Sequence, residues 1–321
     1  MMNGRYPHIK VATAILPLVA LCSCGEPPAA PETVTSAPAT PTNPPAVEIT
    51  STSAPTSTST PEPTSLPGEQ VYPLASLGGE IPWLPLEEGE EPMTVYLGFN
   101  VGLPPFDDPL VRRAFAAAVD REQIAEEAAG FGFREVSPAT SLTPSDTLGR
   151  NLYGEVGIPF DPGLARDLLA QAGYESTESF PSVLLIVSMR GQAAPGAYYR
   201  MAQSIVGMWQ THLGISVELQ TAQSMGEYIG RLETDPPEIY QLGWGADYND
   251  PDNFLRTLFH SSSQFNYGHF SNPEFDRLVD AAAAINDPPE RQLAYIEAER
   301  ILTEEEAAVI PLFHTLFYVA P

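Results

Sequence analysis

Between Gly243 and Leu255 the chain reads G-W-G-A-D-Y-N-D-P-D-N-F-L, with three aspartates and two asparagines among three aromatic residues. Most of these have a local duty. Asp250 suits a helix N-cap, Pro251 the first helical position, and Asp252 and Asn253 a first turn favoured by the helix dipole. Asp247 has none, because it stands three residues before the cap, beside Trp244 and Tyr248. A carboxylate among aromatic walls attracts an ammonium group through a short charge-assisted hydrogen bond, with the rings adding cation–π attraction. The plain alternative is an aspartate that serves only the turn.

Other chemistry is poorly supplied. Lys10 is the single lysine, so a phosphate-loop lysine, a Schiff base or a Ser-Lys pair has no material after the first residues. His212, His260, His269 and His314 form no H-E-x-x-H, and no cysteine follows Cys24, which argues against zinc. His260 and His269 flank a Ser/Asn-rich loop and read as surface or hydrogen-bonding residues. There is no G-x-S-x-G to seat a serine nucleophile, and the G-F-G-F at Gly130 lacks a dinucleotide loop's third glycine. A calcium loop starting at Asp247 would need glycine where Asp252 stands and glutamate where Leu258 stands. The expectation is a binding protein with no catalytic residue, no metal and no cofactor.

The elements that must hold Asp247 are legible in the periodicity. Ile239 to Trp244 reads as a buried strand leading into the turn, the place where α/β folds put ligands. Before it come a buried strand (Val183 to Val187), a helix (Ala197 to Leu213) stopped by Gly214, alternating Ile215, Val217 and Leu219, and a helix from Met225. Strand–helix–strand–helix–strand at these lengths implies crossover connections and a partly parallel sheet. Met93 to Asn100 reads as a further strand, after a solvated turn at Glu87 to Glu91. Asp108-Pro109, Asp161-Pro162 and Asn272-Pro273 each open a helix, Asp120 caps another, a long helix spans roughly Pro289 to Glu305, and Ala308 to Val319 closes as a strand.

The first residues look like an export signal. Met1 to Ser23 carries Arg5 and Lys10, no acid, and the apolar run Val11 to Leu21, too short to span a membrane. Residues 25–67 hold 11 prolines and 16 serines or threonines with no aromatic, which predicts a solvated tether rather than a fold. With 15 basic against 41 acidic residues, nucleic acid is excluded as a partner. The fold belongs to residues 68–321, without a disulfide to brace it.

Two resemblances add to this. L-C-S-C at Leu21 to Cys24 resembles the lipobox of bacterial lipoproteins, which implies a signal peptide over 1–23, lipid on Cys24, and a membrane partner through that lipid, with 24–67 as the tether; a free or disulfide-bonded cysteine pair is the alternative. The span Tyr96 to Pro321 resembles the C-terminal half of the oligopeptide- and dipeptide-binding lipoproteins of ABC importers. The marks are F-N-x-x-x-P-P-F-D-D-P-L-V-R-R-A-F-A-A-A-V-D-R (Phe99 to Arg121), D-P-G-L-A-R-D-L-L-A-Q-A-G-Y (Asp161 to Tyr174), the Gly243 stretch, F-N-Y-G-H-F-S-N-P-E-F-D (Phe265 to Asp276) and E-A-E-R-I-L…I-P-L-F-H near the end. The resemblance implies an α/β fold: a single lobe of a periplasmic-binding-protein clamshell, a mixed sheet flanked by helices, with the N-terminal lobe largely missing. It makes Asp247 the anchor for a peptide's α-amino group, Trp244, Gly245 and Tyr248 its surroundings, and neighbouring backbone a place for the peptide to lie as an added strand. Partners would be a peptide or other small amine-bearing solute and an ABC importer permease. A scaffold lipoprotein derived from such a receptor, no longer capturing ligand, is the alternative from another class, and an extracytoplasmic hydrolase the remotest.

Overall fold

The computed structural model describes residues 90–144, 156–188 and 196–318. The signal segment 1–23, Cys24, the tether 24–67 and residues 68–89 lie outside the described residues. Strands β1 (Glu90–Phe99), β2 (Arg134–Pro138), β3 (Val183–Ser188), β4 (Val217–Ala222), β5 (Ile239–Gly245) and β6 (Val309–Tyr318) make one sheet in the order β2-β6-β1-β5-β3-β4. β3 is parallel to β4 and β5, whereas β1 is antiparallel to β5 and β6. The parallel part is the expected run β3, α4 (Ala197–Leu213), β4, α5 (Met225–Thr234), β5.

Side chains alternate along β1 and separate two cores. Val95, Leu97 and Phe99 face α1 (Pro109–Ala117), α2 (Arg121–Gly130), α3 (Pro162–Gln171) and α4. Tyr96 faces α5, α6 (Arg256–Phe259), α7 (Pro273–Ala284) and α8 (Pro288–Arg300). Most helices start on one device, a carboxylate or carboxamide accepting the orphan N–H groups of the first turn. Asp108 accepts from Leu110 at 2.8 Å, Asp161 from Gly163 and Leu164 at 2.9 Å, and Asn272 from Glu274 at 3.0 Å.

Two expectations need correction, and one strand has no mark in the sequence. Glu90 and Glu91 are not in a turn; they extend β1 and pair with Tyr318 and Phe317, because β6 is long enough to offer them a ladder. The long helix expected to Glu305 is α8 up to Arg300 and then a single π turn, Ile301–Glu305. β2, largely exposed and without apolar alternation, carries no strand signal in R-E-V-S-P.

The motif arginines are structural. Arg112, 2 % exposed, gives its guanidinium to Glu306 at 2.9 Å and to the carbonyls of Phe106 and Glu306. Arg121 donates to the carbonyls of Pro311, Ala116 and Val119, and burial pulls it down to about 10. A second polar knot lies under the β1–β6 seam. Glu299 accepts from the main chain of Leu142 and Thr143 and from the Thr143 hydroxyl at 2.6 Å. The Thr94 hydroxyl donates to the Leu142 carbonyl at 2.7 Å, which leaves its oxygen to accept from His314 Nδ1 at 2.9 Å.

Arg121→Met should cost about 3 kcal/mol or more, since three buried carbonyls lose their donor; urea unfolding measures this. The knot sets a pH signature. Burial raises Glu299 from its ordinary 4.5 to about 7 and lowers His314 from 6.5 to about 3. Glu299 therefore destabilises the fold above pH 7 and is relieved as pH falls toward 4.5, whereas His314 costs stability as pH falls below 6.5. The two oppose each other in mild acid. Glu299→Gln should make stability fall more steeply than wild type between pH 7 and 5, and His314→Gln should make it rise over that range, as read from unfolding midpoints.

Candidate functional site

β5 exposes its residues progressively toward its C-terminal end, from buried Ile239, Tyr240 and Gln241 to half-buried Gly243, Trp244 and Gly245. Its main-chain groups point alternately to its two neighbours. Ala246 N–H donates to the Pro92 carbonyl at 2.9 Å, so Ala246, Trp244 and Leu242 face β1. Gln241, Gly243 and Gly245 consequently face the other way, toward β3. There β3 pairs only at Leu185↔Ile239 and Ile186↔Tyr240. The Tyr228 hydroxyl closes the next position, donating to the Gln241 carbonyl and accepting its N–H at 3.1 Å. Beyond it, no described strand pairs with Gly243 and Gly245 on that side.

This open edge runs into Asp247. Its side chain is exposed, and among the described residues no basic group pairs with the carboxylate. Trp244 and Gly245 adjoin it, as expected from the sequence. The indole packs at an angle on Phe265, ring centroids 5.2 Å apart, and its N–H donates to Asn253 Oδ1 at 2.8 Å. The Asp247 main-chain N–H reaches the same oxygen at 3.2 Å. Tyr248 is 48 % exposed, but its hydroxyl turns to Asp252 at 2.8 Å rather than to Asp247.

The turn after Asp247 is fastened from below. Asp250 caps it as expected, accepting the Asp252 N–H at 2.9 Å. The chain then makes a 3-10 turn, Pro251–Asn253, and the four-residue α6, not the single helix expected from Pro251. Asp250 also pairs with Arg291 of α8 at 2.9 Å, and Asp252 accepts from Tyr295 at 3.3 Å. Burial pushes the Asp250 carboxyl above its ordinary value, while the Asp252 N–H and Arg291 pull it back. Arg291, Tyr295 and Glu299 recur every fourth residue on one stripe of α8, so one helix face clips both the 250–252 turn and the 142–143 segment. The second clip sits next to the site through the sheet, since Thr94 is the register partner of Trp244.

Asn253, Tyr228 and the α8 stripe are the contributors that sequence reasoning passed over. The stripe is legible as polar residues at fourfold spacing in a helix with a buried face. Tyr228 carries no such mark. A cleft of about 360 Å³, lined by residues including Glu233, Tyr267 and His269, is separate from the Asp247 turn.

Comparison with known proteins places this geometry. Residues 51–266 match the family described as bacterial extracellular solute-binding proteins, family 5 Middle. The chain is 30% identical over 256 residues to the probable deoxycholate-binding periplasmic protein YgiS of Escherichia coli K12, covering 78% of this chain and 44% of that one. It is likewise 30% identical to the periplasmic murein peptide-binding protein MppA of the same organism, over 68% of this chain and 40% of that one. The unliganded open form of MppA superposes with a TM-score of 0.61, at 27% identity over 72% of this chain and 44% of that chain. The ABC transporter-associated periplasmic protein DppA of Helicobacter pylori, solved with peptide STSA, gives 0.59 at 25% identity over 70% of this chain and 42% of that chain. The chain thus spans less than half the length of these relatives. With its α/β lobe, mixed sheet and family match, the chain belongs to the bacterial extracellular solute-binding proteins of family 5.

Proposed function

We propose that this chain is a lipid-anchored extracytoplasmic solute-binding protein that captures peptides by their α-amino group and presents them to the permease of an ABC importer. The observation that carries the reading is the open edge of β5. Gly243 and Gly245 offer main-chain N–H and C=O groups on the side where no described strand pairs with them, and the edge ends on a carboxylate without a basic partner among the described residues. An extended peptide satisfies both features at once, its main chain laid along the edge and its ammonium on Asp247. Trp244 and Gly245 form the wall beside that ammonium, and Tyr248 the rim.

Relatives differ in ligand. MppA is named for murein peptide and YgiS for deoxycholate. Deoxycholate has no amine for Asp247 and, being an anion, is repelled by it, so a peptide or another amine-bearing solute fits this chain better. The role is binding without turnover. Attachment to the membrane is through lipid at Cys24, after removal of residues 1–23.

Calorimetric titration with short peptides and their N-acetylated forms tests the reading. Acetylation, or Asp247→Asn, should weaken binding by up to about 1 kcal/mol, the worth of an ion pair open to water. Equal affinity for free and blocked peptides would remove Asp247 from its role, and no binding of either would leave the scaffold alternative. Fractionation of cells tests the anchor: Cys24→Ser should move the protein from membrane to soluble fraction, and an unchanged distribution would count against lipid attachment.

A further inference from the structure

We infer that Asn253 is a positioning residue for ligand capture, fixing the Trp244 wall and the Asp247 anchor with a single atom. The inference rests on the reading of Asp247 as the amine anchor and adds the group that aims it. Asn253 closes the 3-10 turn Pro251–Asn253 and is 1 % exposed, so it does not meet solvent or ligand itself. Its Oδ1 accepts from the Trp244 indole N–H at 2.8 Å and from the Asp247 main-chain N–H at 3.2 Å. Both partners are donors, so the carboxamide can sit only with its oxygen toward them. The two lone pairs of that oxygen are thereby used, one on the aromatic wall and one on the residue carrying the charge.

The carboxamide is presented from a rigid base. Asp250 caps the turn and is itself held by Arg291 of α8, so the oxygen's place is set by the core rather than by the surface loop. Its geometric consequence concerns direction. Asp247 is exposed, and the described residues give its carboxylate no basic partner, so its aim depends on its main chain. Asp247 follows the end of β5 at Gly245 by two residues, and its N–H is held on the oxygen that also holds the Trp244 indole. By occupying that N–H, Asn253 fixes the backbone of residue 247 just past the strand. A bound peptide's ammonium then meets the carboxylate from one direction.

A residue that merely stabilised the turn would lower stability and weaken every ligand alike. A positioning residue changes the preference for a free amine. The experiment titrates the full chain, as wild type, Asn253→Asp, Asn253→Leu and Asn253→Ser, with trialanine and N-acetyl-trialanine. It also tracks the Trp244 indole N–H exchange by 15N NMR. Asn253→Asp keeps an acceptor and should retain the wild-type preference. Asn253→Leu keeps the volume without an acceptor and should lose about threefold in affinity for trialanine, within what an ion pair open to water supplies. Its affinity for the acetylated peptide should stay unchanged, and the indole proton should exchange faster. Asn253→Ser, too short to reach both donors, carries the same expectation should the leucine variant fail to fold. A preference undiminished in the leucine and serine variants, or an equal loss for both peptides, overturns the inference while leaving Asp247 in place. A wild-type chain that binds both peptides alike removes the anchor and this inference with it.

Discussion

The site depends on a place where the sheet stops being a sheet. β3 and β5 pair at two positions, and on that side no described strand pairs with the last residues of β5. Buried main-chain polar groups must find partners. The protein meets that demand unevenly. At Gln241 the Tyr228 hydroxyl acts as both donor and acceptor and seals the position. At Asp247 the Asn253 oxygen takes the N–H. Between these two plugs lie Gly243 and Gly245, whose outward main-chain groups pair with no described strand. Glycine suits that stretch for a reason of space: a Cβ on Gly243 would meet Met93 Cε at 2.2 Å. The same smallness keeps the edge accessible to another main chain.

An edge of this kind is useful only if it is held still, and the fold spends buried polar groups on holding it. Arg112 ties the turn carbonyls of Phe106 and Glu306, and Arg121 ties the end of α1 to the β6 main chain, on one side of the sheet. Glu299 and His314 tie the 142–143 segment to β1 and β6 on the other. α8 joins the two regions that border the site, its stripe of Arg291, Tyr295 and Glu299 reaching first the Asp250 turn and then the segment behind Thr94. Breaking one partner of a buried pair leaves an uncompensated polar group, which makes such ties strict about geometry even where their net stabilisation is small. In a chain without a disulfide after Cys24, strict geometry has to come from these groups and from packing.

Much of this was legible in residue types. The Asp-Pro and Asn-Pro openings marked helix starts to the residue, because a short acceptor and a fixed φ are local physics that tertiary context leaves alone. The crossover run and the exit of β5 were written in the periodicity. Asp247 stood out because Asp250 to Asn253 each had a duty in the turn and it had none. What could not be read depended on contacts far along the chain. Glu90 and Glu91 belong to a strand only because β6, at the far end of the sequence, lies beside them. Asn253 passed as a first-turn residue since its sequence position satisfied a rule, while its side chain points back to Trp244 and Asp247, nine and six residues earlier. Tyr228 is a helix aromatic in the sequence, and only the divergence of β3 makes its hydroxyl a plug.

The exposure of Asp247 bears on how strongly any amine is held. In water an exposed ion pair contributes about 0–1 kcal/mol, whereas the same charges in a water-excluded site attract several times more strongly. The carboxylate here is placed and aimed but not shielded. Selectivity for a free amine can therefore come from this lobe, since it depends on direction and on the rigid main chain around residues 243–247. Affinity needs a second surface to displace water from above. β1 begins and β6 ends at the sheet end that carries Asp247, with Glu90 opposite Tyr318 and Met93 opposite Gly245. On the proposed reading, a surface added at this end of the sheet is what would supply binding strength, as distinct from preference.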